Sequence, residues 1–309
     1  VNVSPLRLAI VTATTILVAT TLLTATTLLV ALLIPGSTGA AAPSSAQKLQ
    51  ETPPVVPAAT SVREDRRMPK SGGRWMPKPG IRTWQFQLQG KVDLSVKAPV
   101  YEVDGFDVPA STVRALQNQG RKVICYISVG SWENYRPDKA QFPKAVLGKR
   151  YDGYPDERWL DIRRYRLFSK PLINRIRMCA RKGFDAVEAD NVAGFQNPTG
   201  FPLTAADQLE FNLWIARQAH RFGLSIGLKN DPDQVRKLVG SFDFAVVEQC
   251  FQYNECGRYS PFVDAGKAVF SVEYETPTSA FCSRARDLRF TAIGKEYDLF
   301  ALPWRSCAA

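Results

Sequence analysis

From residue 81 onward, short apolar runs alternate with amphipathic stretches. The runs are TWQFQLQ (83–89), VYEVDGF (100–106), KVICYISVG (122–130), FDAVEADN (184–191), LSIGLKN (224–230), FDFAVVEQC (242–250) and AVFSVEYE (268–275), with a weaker one at EYDLFAL (296–302). Their length and β-branched content predict strands. Between them, VPASTVRALQNQG (108–120), SKPLINRIRMCARKG (169–183), TAADQLEFNLWIARQAHRFG (204–223) and DPDQVRKLVG (231–240) carry helical spacing. Several end on Gly just before the next strand, as a helix C-terminus does. Asp231-Pro232 reads as an N-cap followed by Pro at the first helical position. Strand–helix alternation implies a parallel sheet. About eight strands in a segment of this length predict an α/β fold, a single-domain (β/α)8 TIM-type barrel. The rival, an open doubly wound sheet, lacks the GxGxxG turn after its first strand.

Upstream the texture differs. Leu8–Ile34 runs for 27 residues without a charge, and small residues, GSTGAAAP, follow. Residues 1–42 are therefore read as a signal peptide cleaved near Ala40–Ala42, or as a signal anchor, since about 20 residues suffice to span a bilayer. Residues 43–80, rich in Pro, Ala, Ser and charge, read as a flexible linker, and 81–309 as the barrel. The product is expected to be secreted or held at the cell surface, touching a membrane only through an uncleaved leader. Six cysteines fit export. Cys250 and Cys256 enclose a short loop and are expected to pair. Cys282 and Cys307 flank the last segment. For Cys125 and Cys179, two buried thiols and a disulfide stay equally open.

The net charge of +11 raises nucleic acid or an anionic cell wall as partners. No helix-turn-helix, zinc-finger or RNP-like pattern supports nucleic acid. Of that charge, +5 lies in residues 1–78, where eight Lys/Arg face three acids.

Barrel chemistry sits at the C-terminal strand ends. In LSIGLKN, Leu224, Ile226 and Leu228 suit the helix layer, so Ser225, Gly227 and Lys229 face the lumen, with Lys229 and Asn230 at the mouth. The same phasing turns Tyr126 and Ser128 inward, groups Glu102 with Asp104 and Glu188 with Asp190, and closes the row Phe244, Val246 with Glu248. On AVFSVEYE it sets Ser271, Glu273 and Glu275 against Phe270, Val272 and Tyr274. The expected mouth gathers Asp104, Asp190, Glu248 and Glu273 around Lys229, an acidic pit in a basic protein that favours cationic or polyhydroxylated ligands. Trp132, Tyr126 and Tyr274 stand beside it and could stack on sugar faces or pack in the core.

A single histidine, His220, lies in a helix with polar neighbours and reads as a surface residue. Ser-His-Asp and Cys-His mechanisms thus have almost nothing to work with. No cofactor is expected, and a His-rich metal site is excluded; a carboxylate-only Mg2+ or Ca2+ site stays open. Glycosidic cleavage needs two carboxyl groups in different roles. Asp190 and Glu248 are the expected pair, with Asn191, Lys229 and Tyr126 orienting substrate or tuning acidity. A non-catalytic carbohydrate-binding barrel and a carboxylate-metal-dependent hydrolase are the alternatives.

The ordered series KVICYISVGSWENYRPD, ERWLDIR, KGFDAVEADN, LTAADQLEFN, GLSIGLKND, FDFAVVEQCFQYNEC and GKAVFSVEY resembles the glycoside hydrolase family 114 domain, the endo-α-1,4-polygalactosaminidase-like barrels, over residues 81–309. The resemblance implies a TIM-type barrel, export, and hydrolysis of α-1,4-linked galactosamine or N-acetylgalactosamine polysaccharide. It implies catalytic roles for Asp190, from the DN motif, and Glu248, from the EQC motif. The sequence leaves the oligomeric state open, with a monomer expected. Where the family commonly has DNVDGY this chain has DNVAGF, with Ala193 in place of an Asp and Phe195 in place of a Tyr.

Overall fold

The computed structural model describes residues 73–308. The expected leader and most of the expected linker lie outside these residues. Residues 73–80 pack against the barrel: Trp75 tilts over Phe244, ring centres 6.2 Å apart, and the Pro77 carbonyl accepts from Ala268 N.

In chain order the elements are β1 (Gln85–Gln87), β2 (Val100–Asp104), α1 (Ala110–Asn118), β3 (Lys122–Ser128), β4 (Ser131–Glu133), β5 (Leu147–Tyr151), β6 (Tyr154–Leu160), α2 (Ser169–Lys182), β7 (Ala186–Asp190), α3 (Ala205–Arg221), β8 (Ser225–Lys229), α4 (Val235–Leu238), β9 (Phe244–Glu248), α5 (Ser260–Asp264), β10 (Val269–Glu273), α6 (Thr278–Asp287), β11 (Thr291–Gly294) and β12 (Arg305–Ser306). Strands β1, β2, β3, β7, β8, β9, β10 and β11 pair in that order, all parallel. β12 runs antiparallel beside β11. β4, β6 and β5 form a separate antiparallel sheet inserted between β3 and α2.

Each parallel strand buries both faces, so hydrophobicity alternates weakly along it. Outward residues such as Val103, Cys125, Val187, Ile226 and Val247 pack under the helices. Inward, Trp84, Phe86, Phe244 and Phe270 fill the lumen, with Trp84 stacked on Phe86 at 5.3 Å and Phe244 edge-on to Phe270 at 5.8 Å. Gly227 makes room for this filling: a Cβ there would lie 2.4 Å from the Phe244 ring. The helices carry their expected punctuation. Thr204 and Asp207 form a capping box at the start of α3, and Gly183, with φ +90°, ends α2.

The seam between β11 and β1 has no backbone ladder among the described residues and is closed by side chains. Trp304 Nε1 donates to the Trp84 carbonyl at 2.8 Å, Thr291 Oγ1 to the Ile81 carbonyl at 2.9 Å, and Ser306 Oγ to Thr83 Oγ1 at 2.7 Å. Three disulfides brace the barrel: Cys125–Cys179 ties β3 to α2, Cys250–Cys256 staples the loop after β9, and Cys282–Cys307 ties α6 to the chain beyond β12. The pairing of Cys125 with Cys179 settles the alternative left open by the sequence.

Two sequence expectations are corrected. The eighth strand is Thr291–Gly294, not 296–302. In EYDLFAL, Leu299 has φ +51°, and its carbonyl accepts from Leu88 N and Gln89 N, so the run plugs the barrel mouth instead of joining the sheet. Asp231 is not an extended N-cap: it has φ +57°, and α4 begins after Gln234.

Candidate active site

Three neighbouring strand ends converge. Lys229, at the end of β8, extends between β7 and β9. Its Nζ lies 2.8 Å from Glu188 Oε1, 3.4 Å from Asp190 Oδ1 and 3.5 Å from Glu248 Oε2. Burial alone would lower the ammonium's pKa, but Asp190, Glu188 and Glu248 more than offset it and hold the group well above the usual lysine range.

The chain turns sharply just past each strand, which keeps the ends bare. Asn191, Asn230 and Gln249 have φ of +64°, +50° and +57°. Asn suits this left-handed conformation better than most residues. Its side chain also serves: Asn191 Nδ2 donates to Ser128 Oγ and Ser131 Oγ at 2.9 and 3.1 Å, and Asn230 Oδ1 accepts from Glu248 N at 3.0 Å. β3 must pass so close to Asn191 that a Cβ on Gly130 would lie 1.7 Å from its carbonyl oxygen.

The two outer carboxylates differ in setting. Asp190 is held on both oxygens: Oδ2 accepts from Tyr126 OH at 2.8 Å, and Oδ1 from Asn191 N at 2.7 Å and from Lys229. Glu248 accepts from Tyr274 OH on Oε1 and meets Lys229 on Oε2. Its side chain is 26% exposed against 15% for Asp190. Burial, then the adjacent carboxylate, raises both tyrosine hydroxyls well above their ordinary range, so each stays a donor. Glu188 lies a step deeper, fully buried. Burial pushes it up to about 8 despite Lys229, and its Oε2 has no partner.

These groups open into a cleft of about 570 Å³. Eight Asp/Glu side chains line it against two basic ones, Arg136 and Lys229. Of the expected site residues, Asp190, Glu248, Tyr126, Asn191, Lys229 and Asn230 all line the cleft. Asp104 reaches its wall, but Arg136 clamps it with contacts of 3.1 and 2.6 Å. Tyr274 lies behind Glu248, stacked on Tyr297 at 4.5 Å, and is not part of the lining.

Trp132 and Glu273 are not brought to the site. Trp132 packs against the core and donates to the Lys139 carbonyl at 3.0 Å. Glu273 points away from the lumen and accepts from Phe251 N and Gln252 N at 2.9 and 3.2 Å. The phase of β10 is opposite to the expected one, with Phe270 and Val272 inward among the lumen aromatics. An apolar inner face misled the reading there, because the rings of Trp84, Phe86, Phe244 and Phe270 pack with it inside the lumen. His220 is half-buried and bonds Asp243 at 2.8 Å. Among the described residues, no group of three or more His, Cys, Asp or Glu is placed to hold a metal ion.

Sequence reasoning missed the cleft residues of the inserted sheet, Tyr151, Tyr154, Glu157 and Trp159, and those of the mouth plug, Tyr297, Asp298 and Leu299. The Asp-Gly pair at 152–153, flanked by aromatics, is a hairpin signal that could have found the first set.

An eight-stranded parallel barrel with paired carboxylates on non-adjacent strand ends is the architecture of a carboxylate-dependent glycosidase. A family model described as glycoside-hydrolase family GH114 matches residues 65–308, and the chain belongs to that family. The crystal structure of Aspergillus fumigatus Ega3 in complex with galactosamine is 38% identical, with a TM-score of 0.72, covering 76% of this chain and 98% of that one. The glycoside hydrolase domain of PelA from Pseudomonas aeruginosa is 15% identical with a TM-score of 0.58, covering 72% of this chain and 98% of that one, which is a likeness of fold. No curated protein matches the chain.

Proposed function

We propose that the protein is an exported, endo-acting hydrolase of galactosamine-rich polysaccharide, with Asp190 as nucleophile and Glu248 as acid/base. The observation that carries the reading is the shared contact of both carboxylates with Lys229 at the floor of an open cleft. The relative bound to galactosamine suggests the sugar. The acid-rich lining suits a polymer whose free amines are cationic. The three disulfides fit an oxidising compartment, in keeping with the expected leader.

In this mechanism Glu248, the more exposed carboxyl, gives its proton to the glycosidic oxygen as the bond to the anomeric carbon breaks. Asp190, oriented on both oxygens, attacks that carbon from the opposite face. Ionised Glu248 then takes a proton from water, which displaces Asp190 and releases the sugar. Lys229 compensates the charge of Asp190 before attack and again when water releases it. Because both oxygens touch one nitrogen, they are separated by at most the sum of 3.4 and 3.5 Å. That bound is compatible with the spacing of about 5–5.5 Å used by retaining enzymes, and the double displacement described here would retain the anomeric configuration.

Asp190→Asn and Glu248→Gln should each lower hydrolysis of galactosamine polymer by about 10²–10⁴ with folding intact. Products sized by mass spectrometry give the rate. A rate like that of the wild type in either variant overturns the assignment.

A further inference from the structure

The inserted sheet β4–β6–β5 does not complete the barrel, yet it forms one wall of the cleft. Its base is fixed. Lys149 N donates to the Thr199 carbonyl at 2.8 Å, and Arg158 Nε to the Gly148 carbonyl at 2.7 Å. Gly148 passes so close to the loop after β7 that a Cβ would lie 2.2 Å from Thr199 O. The hairpin tip turns at Gly153, with φ +78°.

On this fixed base sits an aromatic corner. Tyr151 stacks on Trp159 at 4.5 Å, and Tyr154 meets Tyr151 edge-on at 5.3 Å. Trp159 is buried, so Tyr151 is braced, while Tyr154 is 53% exposed at the cleft. Both tyrosines line the same cleft as Asp190, Glu248 and Lys229. The same strand supplies Glu157. Its Oε2 accepts from Ser131 Oγ at 2.6 Å, and Ser131 Oγ is also bonded to Asn191 Nδ2, next to Asp190. Its Oε1 has only a long contact, 3.4 Å from Tyr135 OH. Two aromatic rings set at a right angle thus share the cleft with a carboxylate oxygen that has spare acceptor capacity. A pyranose carrying a primary amine offers an apolar CH face and an ammonium group to match.

We propose that the inserted sheet is an amino-sugar subsite, in which Tyr151 and Tyr154 take the apolar face of one pyranose and Glu157 Oε1 takes its ammonium. The assignment rests on the galactosamine reading above. It makes Glu157 the residue that distinguishes a free amine from an acetamide, because an acetamide brings no positive charge and adds bulk where the carboxylate waits.

The test measures binding of galactosamine oligomers of defined length, fully deacetylated or fully N-acetylated, to the non-hydrolysing Asp190→Asn protein. It also measures KM for the deacetylated polymer in the otherwise wild-type chain. Tyr154→Ala should weaken binding of both oligomers about three- to tenfold, and Tyr154→Phe should restore it. Glu157→Gln keeps an acceptor for Ser131; it should weaken the deacetylated oligomer about tenfold and leave the acetylated one unchanged, so that discrimination collapses. Equal losses for both oligomers in Glu157→Gln, or undiminished binding in Tyr154→Ala, overturn the subsite. Tyr154 is half-exposed on a hairpin, so its arm of the test does not depend on how Glu157→Gln folds. A wild-type enzyme that leaves the polymer uncut removes the functional reading itself, whereas unaltered subsite variants of an active enzyme remove only this inference.

Discussion

Two buried clusters in this molecule have nearly the same charges and opposite fates. At the ends of β7, β8 and β9, one lysine faces Glu188, Asp190 and Glu248. Beneath the inserted sheet, Arg136 and Arg175 face Asp104, Glu133 and Asp138. The arginine cluster is saturated. Arg136 binds Asp104 through two nitrogens and Glu133 through a third, and Arg175 grips Asp138 with two contacts of 2.8 Å while reaching Glu133 and the Ser128 carbonyl. The lysine cluster is loose, with contacts of 3.4 and 3.5 Å to the outer carboxylates and one Glu188 oxygen without a partner. Forked guanidinium pairs hold a shape, whereas a point-charge ammonium with spare carboxylate capacity around it can serve groups whose charge changes. Saturation, not composition, separates scaffold from candidate reaction centre here.

Substitution can break that contrast. Arg175→Met should produce the largest loss of stability, about 3–5 kcal/mol in denaturant titrations, because it strands half-buried Asp138 and takes one of two guanidinium partners from buried Glu133. Lys229→Met should instead lower kcat by about 10²–10³, the scale for removing one electrostatic contact from a reacting centre. If Lys229→Met mainly unfolds the protein, or Arg175→Met mainly lowers kcat in a well-folded enzyme, the contrast is wrong. The smallest effect concerns Glu188. Its folded carboxyl sits at about 8 against an ordinary 4.5, so the native state binds the extra proton and stability falls as pH rises between those values. Glu157 and Asp231, both raised to about 7 chiefly by burial, add to the same slope. Glu188→Gln, neutral throughout, should flatten the decline without abolishing it. Parallel stability curves for wild type and variant between pH 5 and 8.5 would mean that Glu188 is already ionised.

The contrast also explains how much was legible in the sequence. The barrel and the placement of Asp190 and Glu248 at its mouth could be read because strand phase and strand end fix where such side chains point. Asp104 obeyed the same rule, yet its partner Arg136 comes from a loop 32 residues on, which no local pattern reveals. Glu273 failed because the lumen rings claimed the Phe270 and Val272 face of β10, which left Ser271 and Glu273 on the opposite side. β11 is only four residues long, and the richer run at 296–302 drew attention from it. The hairpin wall was lost for a different reason: it belongs to no repeat of the βα unit, so the barrel rule made no place for it.

The side-chain seam between β1 and β11 carries a consequence for biosynthesis. Its bonds link residues separated by 210, 220 and 223 positions, and Cys307 locks the far end to Cys282. Contacts between such remote positions are slow to form. A nascent chain cannot zip this join until the segment from Thr291 to Cys307 has been made, so the cylinder stays open while its earlier strands are being synthesised.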